Sequence, residues 1–274
     1  MEPWERALRQ SPMVLHDATF RSPTLRRLRM RLRWIGWNGS AAGSWSARQW
    51  GLLVFAVVTA IVVAVGSGGF DPRPDTDPRV RALAREALAR LASIPVYAQR
   101  PDRDDYDRSA FGSAWTDAVT VAGGGNGCDT RNDILARDLQ DIRAGPVSRC
   151  PRGVLAGEFR SPYSGEFVVF RRDRGASNVQ IDHIVPLAYA WDMGAWSWEA
   201  GRRIDFANDP ANLVAVDGAS NQEKGDWEPA RWMPKARGFW CQYAIQFVTV
   251  SATYGLTVDR GSREVLTKAL RCAG

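Results

Sequence analysis

The chain has 274 residues, 45% of them apolar and 24% charged, a balance that excludes both a disordered chain and a polytopic membrane protein. Its formal charge of +6 does not mark a polyanion-binding surface, because residues 1–50, with nine arginines against Glu2, Glu5 and Asp17, carry all of it. Residues 51–70 are uncharged and residues 71–274 are neutral overall, so the imbalance bears on membrane topology instead.

From Gly51 to Gly69 the sequence GLLVFAVVTAIVVAVGSGG offers nineteen uncharged residues, which as a helix would span about 28 Å and match a bilayer core. Trp50 and Phe70 flank it and the arginines precede it, so the positive-inside rule predicts a cytoplasmic segment 1–50 and a single transmembrane helix 51–70. A linker 71–78 and an extracytoplasmic domain 79–274 follow, with the lipid bilayer as partner through 51–70. The alternative is a signal peptide cleaved near Gly66, where Ala64 and Gly66 have suitable spacing and the protein would be secreted.

After the Pro-punctuated linker, RVRALAREALARLASI places Val80, Leu83, Ala87, Leu88 and Leu91 at helical spacing, and Pro95 stops the run. A polar stretch and the Gly-rich AGGGNG lead to Cys128; TRNDILARDLQDI then predicts a helix with Ile134, Leu135, Leu139 and Ile142 inward. SPYSGEFVVFRR reads as a hairpin, and NVQIDHIV and ANLVAVDG as strands on either side of a Trp-rich connection that holds a helix. Another helix starts at Asp217 or Ser220, and two more, at about 238–254 and 262–272 with Gly255 between them, close the chain. The fold class is α+β.

All four cysteines, Cys128, Cys150, Cys241 and Cys272, lie beyond the apolar run, and none belongs to a C-x-x-C pair, so disulfides are expected instead of a zinc site. Of three possible pairings, Cys128 with Cys150 and Cys241 with Cys272 close the local loops.

Only His16 and His183 are present, and His16 precedes the apolar run, so any exported imidazole chemistry must use His183. A neutral imidazole suits a general base near neutral pH. Asp182 carboxylate and Asn221 amide oxygens are hard donors suited to Mg²⁺ or Mn²⁺. Asn221 and Lys224 share a helix face, which would let Lys224 reach a phosphate beside that ion. In a regular strand Asp182 and His183 would face opposite ways, so the strand must end or distort there, and Pro186 is placed to cause this.

The strings DHIVPL (182–187) and FANDPANLVAVDGASNQEKGD (206–226), with W-x-P at 232–234, resemble the HNH, or ββα-metal, nucleases. They are most similar to exported HNH-family proteins related to the C-terminal nuclease domain of GmrSD-type restriction enzymes. CDTRNDIL at 128–135 and the segment Tyr106–Trp115 also look like those relatives, so the resemblance covers about 79–272. It implies a ββα core at about 178–226 with surrounding helices, and endonuclease activity on nucleic acid, DNA ahead of RNA. His183 would activate water, one Mg²⁺ or Mn²⁺ would sit at Asp182 and Asn221, and Asn212 would hold the loop that orients the base. Lys224 would bind phosphate. Arg131 would either do the same or pair with Asp129, Asp133 or Asp138. Arg171, Arg172 and Arg174 would grip the nucleic-acid backbone or form a hydrated hairpin end, and Trp191, Trp196 and Trp198 would stack bases or fill the core. The rival reading is a non-catalytic, disulfide-braced envelope-binding module on the same scaffold. No protein partner is implied.

Overall fold

The computed structural model describes residues 77–273; the basic segment, the apolar run 51–70 and the linker up to residue 76 lie outside the described residues. Among the described residues no helix is long and apolar enough to cross a membrane. The architecture is α+β.

Helix α1 (Pro78–Ser93) is capped by Asp77, whose carboxylate accepts from Arg79 N at 2.8 Å, and it buries Ala84, Ala87 and Leu91. A two-residue strand β1 (Val96–Tyr97) follows. Helix α2 (Thr130–Asp138) begins at Asp129, which accepts from Asn132 N. It stops four residues short of Ile142: Gln140–Val147 is strand β2, and Ile142 is 37% exposed. The helical spacing of Leu139 and Ile142 is overridden because β2 pairs antiparallel with the next strand, β3 (Cys150–Arg160), across a two-residue turn at 148–149. The expected hairpin has its turn at 161–166, but its arms are β3 and β4 (Phe167–Arg171), so the sheet runs β2-β3-β4, all antiparallel.

Strand β5 (Val179–His183) pairs with β6 (Leu213–Asp217), with Asp182 opposite Val214 and His183 opposite Leu213. The Trp-rich connection is two helices, α3 (Leu187–Asp192) and α4 (Ala200–Asn208). They are separated at Gly194, whose φ of 137° an L side chain would resist. Helix α5 (Gly218–Lys224) is capped by Asp217 and not by Ser220: the Asp217 carboxylate accepts from Ser220 N at 2.8 Å. At Gly218 a Cβ would sit 2.7 Å from Ser177 O, so this first helical position must be glycine for α5 to lie against β5. Helix α6 (Trp240–Thr253), strand β7 (Val258–Asp259, parallel to β1) and helix α7 (Arg260–Ala269) complete the fold. Disulfides join Cys128 to Cys150 and Cys241 to Cys272.

The β5–β6 ribbon lies between two hydrophobic cores. Val214 and Val216 enter the larger one, with Leu91, Phe111, Tyr189, Phe206, Tyr243 and Phe247. Leu213 and Ala215 enter the smaller one, with Ile134, Leu135, Phe159 and Phe170. Burial on both faces is why LVAV is an unbroken apolar run and not an alternating one. It also holds the strand carrying Asp182 and His183 rigidly.

Candidate active site

His183 is the last residue of β5, and the chain then bends through Ile184 and Val185 to Pro186. Asn212 holds that bend: fully buried, its Oδ1 accepts from Val185 N at 2.8 Å and its Nδ2 donates to Val185 O at 3.3 Å, while its own carbonyl accepts from Ile184 N. Asp182 and His183 do face opposite sides of the ribbon, as their partners Val214 and Leu213 do. Because the strand ends there, both line one cleft of about 400 Å³, together with Tyr106, Arg108, Pro186 and Asn221.

The imidazole of His183 stacks on Trp115, centroids 5.6 Å apart and planes 13° off parallel. Trp115 itself has the uncommon positive φ of 58°. His183 Nε2 is 2.8 Å from Ala207 O. A carbonyl oxygen can only accept, so Nε2 carries the hydrogen and Nδ1 keeps its lone pair. Burial depresses the His183 pKa to about 4, and the charges of Arg108 and Lys224 push the same way; the Ala207 hydrogen bond and the Asp182 carboxylate oppose them. The ring is therefore a neutral base at pH 7.

Asp182 Oδ2 accepts from the Tyr163 hydroxyl at 2.5 Å and from Lys224 Nζ at 2.8 Å. Burial and the adjacent carboxylate hold the Tyr163 pKa well above its usual value, so it remains a donor. With Oδ2 committed, Oδ1 is the oxygen left without a protein partner among the described residues. Asn221 is aligned by a short relay: Gln180 Nε2 donates to Ser177 O at 3.4 Å, and Asn221 Nδ2 donates to Gln180 Oε1 at 2.8 Å. That leaves the Asn221 Oδ1 available. Among the described residues no cluster of three or more His, Cys, Asp or Glu could hold a metal ion.

Both residues expected at a phosphate are engaged within the protein. Lys224 is 0% exposed, bonded to Asp182 and, at 2.8 Å, to His183 O, because α5 packs with this residue turned under the strand. Arg131 does not line the cleft; the Asp129 charge acts on it, and its Nη2 donates to Ala176 O and Val179 O, bracing the start of β5. Arg172 is likewise turned inward, onto Val154 O and Asn132 Oδ1, while Arg171 and Arg174 flank Asp173 at the exposed end of β4. Trp191 is buried and Trp198 packs on the same core; Trp196 is 49% exposed beneath Arg103. Tyr163, Trp115, Gln180 and Arg108 had no individual signal in the sequence. Only the resemblance of the Tyr106–Trp115 segment touched two of them.

A ββα unit that presents a neutral histidine and two hard oxygen donors in one cleft defines the class of the HNH-type nucleases. Residues 129–269 match the family of GmrSD restriction endonucleases, C-terminal domain, and the chain belongs to that family. It is also similar to a protein of Arthroderma benhamiae described as an uncharacterized secreted protein, 34% identical over 217 residues, which cover 78% of this chain and 96% of that one. No solved structure matches.

Proposed function

We propose that the protein is an exported, metal-dependent endonuclease that hydrolyses phosphodiester bonds of nucleic acid, with DNA ahead of RNA as substrate. The observation that carries this reading is His183: neutral, held through Nε2 by a carbonyl, with Nδ1 free at the cleft it shares with Asp182 and Asn221. Nδ1 takes the proton of a water molecule, the water oxygen bonds to phosphorus, and the ester P–O bond opposite it breaks. Trp115 and Ala207 hold the ring in place for that transfer.

The single free oxygens of Asp182 and Asn221 fit one Mg²⁺ or Mn²⁺, with water and a substrate phosphate supplying the other ligands. When bound, the cation would polarise a phosphate oxygen and stabilise the leaving oxygen. Tyr163 and Lys224 hold Asp182 to one outward oxygen, and Gln180 aims the Asn221 amide.

The decisive assay is cleavage of plasmid, single-stranded DNA and RNA by the full-length protein in Mg²⁺ and in EDTA. Cleavage should stop in EDTA and return with Mg²⁺ or Mn²⁺, and His183→Ala should lose at least about 10²-fold in turnover. A loss well below that removes the assignment. The rival reading, a disulfide-braced binding module, is compatible with both bridges and would be indifferent to His183. Export is supported by the two disulfides, which belong to an oxidising compartment. The relative's description as secreted favours cleavage near Gly66 over a retained anchor. N-terminal sequencing of protein from the medium and from the membrane fraction separates the two.

A further inference from the structure

The burial of Lys224 leaves the cleft without the lysine expected to meet the substrate's charge. We infer that Arg108 is the residue that binds a non-bridging oxygen of the scissile phosphodiester; this rests on the nuclease reading above. Arg108 lines the cleft beside Asp182 and Asn221, and it also lines the narrower pocket, about 30 Å³, that borders His183 and Trp115. Arg108 thus borders the space shared by the two oxygen donors and the imidazole, and its charge acts on His183.

Other inward arginines are committed. Arg100 donates to Asp192 and Glu228, Arg131 to the β5 carbonyls, and Arg172 to Asn132 and Val154 O. Arg108 is exposed, pairs with no carboxylate among the described residues, and has the neutral Tyr106 hydroxyl as its hydrogen-bond partner. Its position is built, not incidental. Asp107 caps the 3-10 turn Arg108–Phe111 by accepting from Ser109 N at 2.8 Å and from Ser109 Oγ at 2.6 Å. Arg203 Nε donates to Ala110 O, and Phe111 is buried against Trp191 and Phe206. At Gly112, φ is 78° and a Cβ would meet Ile204 at 2.8 Å, so the turn is seated directly on α4. A guanidinium on so rigid a turn is suited to two-pronged recognition of a phosphate, whose charge grows in the transition state.

The test uses the full-length protein, with Arg108→Ala and Arg108→Lys, in two arms. In Mg²⁺, steady-state cleavage of a fluorescein-labelled oligonucleotide should show kcat reduced roughly 10²- to 10³-fold in Arg108→Ala, with KM changed much less. Arg108→Lys should recover part of that loss. In EDTA, fluorescence anisotropy against salt should show the slope of log affinity on log salt reduced by about one in Arg108→Ala and preserved in Arg108→Lys. A kcat within about threefold of wild type overturns the inference. So does an unchanged salt slope, even where activity falls, since that pattern would mean a structural role; a lowered melting temperature in both variants would say the same. If wild type binds but never cleaves, the nuclease reading fails while the salt slope still decides the contact. If it does neither, both fail.

Discussion

Replacing Lys224 with Met tests whether this residue belongs to the structure or to the substrate surface. In the native protein its ammonium is fully buried and sits 2.8 Å from both Asp182 Oδ2 and His183 O, and the Asp182 side chain is only 8% exposed. Met keeps most of the volume but removes the charge. The Asp182 carboxylate is then left with the Tyr163 hydroxyl as its Oδ2 donor, and the His183 carbonyl loses its ammonium. Removing one partner of a buried pair costs about 3–5 kcal/mol. For a domain of this size each kcal/mol lowers the melting temperature by roughly 2–4 °C, so a fall of about 6–20 °C is expected. The measurement is thermal unfolding by near-ultraviolet circular dichroism at pH 7, in EDTA, with the disulfides oxidised. Adding Asp182→Asn to Lys224→Met should restore much of the loss, because no unpaired buried charge remains. A surface lysine that only touches phosphate would instead change the melting temperature by about 2 °C or less while activity fell. That outcome would refute the buried-pair argument.

Two further predictions concern stability. The pKa of His183 is lowered to about 4 in the fold, against about 6.5 in an unfolded chain, so between these values the unfolded state binds the extra proton. Stability in EDTA should therefore fall as pH drops from about 6.5 to 4, by about 3 kcal/mol in total, and His183→Asn should flatten that part of the curve; equal slopes in the two proteins would contradict the buried neutral ring. The bridges Cys128–Cys150 and Cys241–Cys272 close loops with sequence separations of 22 and 31, and each should contribute about 3.5 kcal/mol on the chain-entropy account. Denaturant unfolding of each paired Cys→Ser variant checks the magnitude, and non-reducing peptide maps check the pairing.

The residues proposed to carry the chemistry stood out in the sequence because their types are rare and their spacing is local. With a single histidine beyond the apolar run, DHIVPL and N-x-x-K named His183, Asp182 and Asn221 before any geometry was available. Asp217 as a cap, Gly255 between the closing helices and the two short-range cysteine pairings were readable for the same reason: each depends on neighbours along the chain. The direction in which a side chain points across two packed elements is different. Asn221 and Lys224 share a helix face in sequence terms, yet packing of α5 on β5 sends one amide to the cleft and the other residue's ammonium beneath the strand. Strand β2 was missed because it is exposed along most of its length and its register with β3 is broken by irregularities, so it carries no clean period-two alternation, and Ile142 kept a helical spacing that the hairpin overrides. Tyr163, Trp115 and Arg108 lie 19, 68 and 75 residues from Asp182 or His183 along the chain. Only the tertiary fold brings them to the site, because burial and charge pairing act on distance in space and leave no periodic trace in the sequence.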